Sequence, residues 1–325
     1  INSHVSNNLK SISFIDEDHA VAVGDGGQII VTEDGGTNWT SHWLPGIQNN
    51  LYAVDMTPEG KGIIGGQHST LLYTVNGGIN WSIIQEGDPG FCWSVRYYND
   101  SIAYVFGHIF EYKATGTIRK LVNGCVTEMF SVYFDFENGE HEGSIQDGYI
   151  FDEESIVTVG KVNLMYPRYI SNISCNQDLN STLLSSCYTE ENCYLNGVDF
   201  IGSFGVAVGG QIMGDEAPSI LESNDMGESW EMIYKGRAGD PNMNDVVLVE
   251  NTGYVVGNNG TVWKKLLPTG INQVSEDLNT LTVTPNPVSE NSIVSFDLPS
   301  SGVVQLTLYD INGRLVSNIY NGNMS

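Results

Sequence analysis

Two aspartates and four arginines are the residues here whose types could act on a polar substrate. Asp88 and Asp240 each stand in a Gly-containing Asp-Pro loop. Hydrolysis of a glycosidic bond uses such a pair of carboxylates, one of them as the acid. Arg96, Arg119, Arg168 and Arg237 could clamp a substrate carboxylate, because a guanidinium matches that group with two parallel donors. Both sets also have plainer readings, since Asp-Pro beside Gly is ordinary turn chemistry. No nucleophile and base share a recognisable spacing, so no catalytic residue and no cofactor is assigned. The five cysteines are Cys92, Cys125, Cys175, Cys187 and Cys193. The last three lie in a polar stretch without the paired knuckles or nearby histidine of a zinc site, so no metal is expected. One disulfide from that group is expected, with Cys175–Cys187 the first choice, although spacing alone does not dictate pairing.

The elements that must position these residues are read from repeats. Thr32-Glu33-Asp34-Gly35-Gly36-Thr37-Asn38-Trp39 returns as Thr74-Val75-Asn76-Gly77-Gly78-Ile79-Asn80-Trp81, then as Ser223-Asn224-Asp225-Met226-Gly227-Glu228-Ser229-Trp230. The hydroxyl and the Asp or Asn can accept backbone N–H groups of a tight turn. Gly36, Gly78 and Gly227 supply turn conformations closed to other residues, and Trp39, Trp81 and Trp230 bring a large ring to a neighbouring sheet. A second repeat is a β-rich run ending in glycine. It ends at Gly24, Gly65, Gly107, Gly160, Gly209 and Gly257, at steps of 41, 42, 53, 49 and 48 residues. Units of roughly 40–50 residues with four strands each are propeller blades. The expected fold is therefore all-β: a closed β-propeller of six visible blades, with a seventh left open upstream of Ile1.

The eight-residue motif resembles the Asp-box of sialidase-type repeat propellers, and residues of about 8–265 resemble the photosystem II assembly/stability factor-like family. The likeness is good in the first two and last two repeats and poor between them. It implies a turn role for Asp34 and Asp225. Asp-box propellers include sialidases, which hold a sugar carboxylate with three arginines, but the Arg-Ile-Pro motif of that group is absent. The glycoside hydrolase alternative, sialidase-like or xyloglucanase-like, would use the arginines or Asp88 with Asp240.

The tail follows another pattern. Residues 268–279 read as a polar linker with Pro268 and Gly270. Pro285, Asn286 and Pro287 open a segment that continues through Phe296-Asp297-Leu298-Pro299 to Tyr309-Asp310-Ile311-Asn312-Gly313-Arg314. Alternating apolar residues at 294, 296, 298 and 304, 306, 308 read as strands, and Asn312-Gly313 as a hairpin turn. This resembles the C-terminal sorting domain of the type IX (Por) secretion system of Bacteroidetes. The resemblance implies export to the outer cell surface or medium, with the type IX machinery as partner. It also assigns Gly313 and Arg314 to the sorting motif. The family's later strands and basic end are not seen, so the signal reads as truncated, and a first residue of Ile1 reads as a mature or fragmentary chain.

The expected division is 1–267 propeller, 268–279 linker and 280–325 part of a small β-sandwich. A net charge of −26, from 39 acidic and 13 basic residues, argues against nucleic-acid partners, and no apolar run is long enough to span a membrane. The expectation is a non-enzymatic binding or scaffolding module for a glycan or surface protein. A motif joining strands three and four leaves the opposite rim to the other turns and to the blade connections. His68, Trp93, His108 and Arg237 fall there, with the loops 86–93 and 235–244. Trp43 or Trp93 could stack on a sugar ring.

Overall fold

In the computed structural model, residues 5–110, 114–132, 134–136, 139–141, 143–153, 155–162, 169–174, 185–188, 194–210, 218–237, 239–267, 282–284, 293–295, 302–309 and 315–324 are described. Arg168, Cys175, Cys193, the linker, Pro285, Asn286, Pro287, Gly313 and Arg314 lie outside them, and with Cys175 the expected Cys175–Cys187 bond.

Five sheets of four antiparallel strands follow one another along the chain. The first is β1 (Leu9–Phe14), β2 (Ala20–Gly24), β3 (Ile29–Thr32) and β4 (Thr40–His42). The second is β5 (Leu51–Met56), β6 (Gly62–Gly66), β7 (Leu71–Thr74) and β8 (Ser82–Gln85). The third is β9 (Gly90–Tyr97), β10 (Ile102–Phe110), β11 (Ala114–Val122) and β12 (Cys125–Val132). A short pair, β13 (Phe134–Phe136) with β14 (Gly139–His141), precedes the fourth sheet: β15 (Gly143–Ile150), β16 (Ser155–Val162), β17 (Tyr169–Ser174) and β18 (Ser185–Tyr188). The fifth is β19 (Tyr194–Ile201), β20 (Phe204–Gly210), β21 (Ser219–Ser223) and β22 (Glu231–Lys235). The sixth repeat departs from the expected blade. Among the described residues it gives three strands, β23 (Met243–Val249), β24 (Thr252–Gly257) and β25 (Val262–Leu266). Lys265-Leu266-Leu267-Pro268 stands where the other repeats place Ser/Thr-x-Asp/Asn, so no local motif staples a fourth strand.

The core lies between the blades. Val21, Ile29 and Val31 of the first pack on Leu51, Val54 and Ile64 of the second. Similar layers join the second to the third, the third to the fourth and the fourth to the fifth. The first strands β1, β5, β9, β15 and β19 pack on one another in turn and form the inner wall. Each carries a bulge near its start, where the register slips by one residue. The repeat glycine sits opposite that bulge. A Cβ on Gly24, Gly66, Gly107, Gly160 or Gly209 would overlap the carbonyl oxygen of Asn8, Asn50, Phe91, Ser144 or Tyr194. The periodic glycine therefore marks a close backbone approach, and in the second blade Gly66, not Gly65, holds that position.

The eight-residue motif closes on itself as expected. Thr32 Oγ1 accepts the Gly36 N–H at 2.9 Å, and Asp34 Oδ1 accepts the Asn38 N–H at 2.7 Å. Ser223 and Asp225 repeat both bonds at 2.9 Å. Asn76 needs only its one oxygen, which takes the Asn80 N–H at 3.0 Å. The indoles of Trp39, Trp81 and Trp230 each donate to the carbonyl three residues back. Trp81 packs on the core layer shared with the first blade, and Trp230 on that shared with the fourth, both rings half-buried. Asp34 has its carboxyl held below the usual range by the Asn38 N–H and side chain, as a turn acceptor should be. Thr32→Val keeps the shape but leaves the buried Gly36 N–H without its acceptor. We expect a loss of about 1–2 kcal/mol in urea unfolding. A smaller loss is expected for Asp34→Ala, whose bonds are exposed. An unchanged midpoint in Thr32→Val would remove the staple role.

In the second unit, residues 248–253 with 264–325, β26 (Thr282–Thr284) pairs with β27 (Ile293–Ser295). There β28 (Gly302–Tyr309) also pairs with β29 (Leu315–Met324), antiparallel and with Tyr309 opposite Leu315.

Candidate functional site

The rim opposite the motif turns carries a cluster of rings. Phe91 and Trp93 start β9, and His108 and Phe110 end its neighbour β10, so the antiparallel pairing brings them side by side. Tyr52 reaches over from the bulge of β5. Phe91 and Trp93 stack face to face, with centroids 4.9 Å apart and planes 2° from parallel. Tyr52 lies 4.7 Å from Trp93, tilted by 34°, and 6.1 Å from Phe91, so the three rings form one cluster. Phe110 and His108 meet edge to face at 4.7 Å. Phe110 is 45% exposed, while Tyr52, Phe91 and Trp93 are half-buried.

Trp93 is the pin of this ledge. Its indole N–H is shared between His108 Nδ1 at 3.1 Å and Ser144 Oγ, 51 residues away, at 3.0 Å. An indole nitrogen can only donate, so His108 Nδ1 accepts and the ring proton sits on Nε2. Ser144 lies 2.8 Å from the same Nδ1, and Gln146 Nε2 donates to Ser144 Oγ at 2.7 Å. The ledge is thereby tied from the third blade to the fourth. Trp93, expected as a stacking platform, is half-buried within this cluster. Phe110 is the most exposed ring of the cluster.

Beneath the ledge the inner wall carries charge. Arg96 Nη2 donates to Asp147 Oδ2 at 2.8 Å and to the Val198 carbonyl at 3.0 Å. Its Nη1 is 3.6 Å from Asp199 Oδ1. Burial works against the guanidinium charge, but Asp147 and Asp199 outweigh it and hold the proton more firmly than usual. Asp147 also accepts from Ser94 Oγ at 2.6 Å and from the Val198 N–H at 3.1 Å. Asp245 in β23 is open to water, yet surrounding protein and the Asp147 carboxylate push its pKa up to about 6, against the pull of Arg96. Asp55 is raised by burial, opposed by the Tyr97 N–H that it accepts at 2.7 Å.

The four sequence candidates divide. Trp93 and His108 meet directly. His68 sits in the β6–β7 turn with a positive φ of 54° and bonds Asn49 at 3.0 Å. Next to it, the Ser69 N–H donates to the Gly90 carbonyl at the foot of the ledge. Arg237 lies in the β22–β23 connection, where its N–H is capped by Asp240 at 2.7 Å. Asp88 accepts from Gln85 Nε2 at 2.6 Å. Both Asp-Pro carboxylates thus serve turns. Arg119 is 2% exposed and donates to Cys92 Sγ and Ser69 Oγ. Paired strands place Arg119, Val105 and Val95 on one sheet face, so Arg96 points from the other. These two arginines cannot converge on one anion. Trp43 is 60% exposed and stands apart from the ledge. Among the described residues, no three His, Cys, Asp or Glu side chains are grouped to hold a metal ion, and no helix is long and apolar enough to cross a membrane.

Sequence reasoning missed Tyr52, Phe91, Phe110, Ser144 and the Arg96 cluster. A usable signal was present in Phe91-x-Trp93 and His108-x-Phe110, two alternating pairs in runs that must be adjacent strands.

Residues 1–104 match a family model described as photosynthesis system II assembly factor YCF48. No curated protein matches the chain. Among solved structures, a YCF48 bound to a D1 peptide is 16% identical with a TM-score of 0.50, covering 82% of this chain and 95% of that one. The GH74 enzyme of Niastella koreensis is 10% identical with a TM-score of 0.58, covering 79% of this chain and 44% of that one. YCF48 from Cyanidioschyzon merolae is 17% identical with a TM-score of 0.42, covering 83% and 98%. The fold is a β-propeller. At such identities the likeness speaks to architecture, and among the described residues this propeller has five four-stranded blades and a three-stranded sixth repeat.

Proposed function

We propose that this protein is a non-enzymatic binding or assembly propeller that works through its aromatic ledge, and that a type IX sorting tail exports it to the outer cell surface or the medium. The observation that carries the reading is the ledge itself. Four rings and a histidine from two blades are held by bonds reaching a third, and Phe110 is presented to solvent. Proteins rarely expose such rings without a use for them. The Asp88 and Asp240 carboxylates serve turns, and the Arg96 guanidinium is taken up by Asp147. A ligand-bound YCF48 of the same fold held a peptide, which supports a protein ligand here. The Pro285-Asn286-Pro287 opening and the antiparallel β28–β29 pairing around Asp310–Arg314 support the sorting tail.

The test is a peptide array and a glycan array probed with the full chain, beside a panel of chromogenic glycosides. Saturable binding without turnover is expected. Phe110→Ala, which stays folded because its ring is half exposed, should weaken it about tenfold, the scale of a central aromatic contact. Glycoside turnover lost in Asp88→Asn or Asp240→Asn would replace this reading with a hydrolase.

A further inference from the structure

The charge beneath the ledge points to what the ledge receives. Asp55, Asp147, Asp199 and Asp245 come from four different first strands, and Arg96 is the cation they share. The inner wall thus sets four carboxyl groups against one guanidinium, with Asp55 and Asp245 raised by burial. Its members differ in access. The side chains of Asp147 and Asp199 are 7% and 12% exposed, and Arg96 is 27% exposed. Asp245 is the most exposed residue of the four. Burial first, and then the like charge of Asp147 and Asp199, disfavours its ionised form, against the pull of Arg96. A cation placed beside Asp245 would favour its ionised form.

The ledge stands one step above this layer. Trp93 is followed in β9 by Ser94, which bonds Asp147, and by Arg96 two residues further on. At the same level as Trp93, the bulge residues are Tyr52 in β5, Gln146 in β15 and Asn196 in β19. The mouth therefore presents rings on one side and amides on the other. Among the described bulge residues the cation is Lys10 in β1, paired with Asp25 at 3.5 Å.

Resting on the binding function proposed above, we propose that the occupant is a basic peptide segment. A lysine or arginine of that segment enters beside Asp245, and its apolar neighbours lie on Tyr52, Phe91 and Phe110. Rings favour a cation at their faces, amides suit peptide main chain, and the wall supplies the counter-charge. The net charge of −26 draws such a segment in from a distance.

Three labelled peptides test this against the full chain by fluorescence anisotropy: Gly-Ser-Phe-Lys-Phe-Ser-Gly, the same with acetyl-lysine, and the same with Glu. The lysine peptide is expected to bind about tenfold tighter than the acetyl-lysine peptide, to weaken as salt rises, and to lose that preference in Asp245→Asn. Phe110→Ala should weaken the lysine and acetyl-lysine peptides alike. Equal binding of those two, both sensitive to Phe110→Ala, would overturn the basic peptide and leave the ledge as a site for neutral chains. A lysine preference that survives Asp245→Asn would also overturn it. Silence of all three while a glycan binds at Phe110 would overturn it in favour of a sugar. Silence of both arrays as well would bring down the binding reading itself.

Discussion

Arg96→Met is expected to lower the stability of the propeller by about 3 kcal/mol. The guanidinium is the cation shared by carboxylates of neighbouring blades, and it is the partner of Asp147, whose side chain is 7% exposed. Removing one member of a buried pair leaves the other charge desolvated, which is the costly case. Ser94 and the Val198 N–H still donate to Asp147 and keep the loss toward the lower end. The paired variant Arg96→Met/Asp147→Asn should recover more than half of the loss, since the stranded charge is then gone. Urea unfolding of wild type, both single variants and the pair measures this as a coupling energy. Losses that simply add would show that Arg96 acts by packing and not as the hub of the wall.

Gly209→Ala should cost about 3 kcal/mol or more, although only one methyl group is added. The new Cβ would overlap the Tyr194 carbonyl oxygen, a backbone atom of the bulge in β19. Backbone cannot rotate away as a side chain can, so the bulge must shift or the β19–β20 pairing must open. Gly202→Ala in the same blade is the control. Its φ of +58° makes a side chain strained, but nothing lies within 4 Å of the new atom. It should lose only about 1 kcal/mol, the scale of a left-handed residue. Equal losses would mean that the repeat glycines serve their own backbone conformation and not the close approach.

Much of the architecture was legible because its signals are local. The Thr32–Trp39 turn is held by bonds spanning at most four residues, so residue type and spacing suffice to recognise it. The repeat glycines were legible as a period, although their reason was not. A bulge in the partner strand leaves no residue signature of its own. The third blade lost its motif but kept a turn that could have been read. Asn123 and Gly124, with φ of 48° and 76°, form the Asn-Gly hairpin joining β11 to β12.

The candidate site was legible only in fragments. Trp93 and His108 could be placed on the right rim from blade topology. Their bond, the contact of Tyr52 with Trp93, and the tie to Ser144 depend on residues tens of positions apart. The four arginines read alike in a list, yet paired-strand register sends Arg96 and Arg119 to opposite faces of one sheet. By itself the sequence determined the β class, the repeat, the turn role of Asp34 and Asp225, and the acidic balance. Each of these is a matter of nearest neighbours or of summed composition. Only the tertiary structure decided which rings meet, which carboxylates share Arg96 and which of them faces water. Those are contacts between blades, and blade-to-blade packing aligns residues 40 to 50 positions apart through sheet register, which no local pattern encodes.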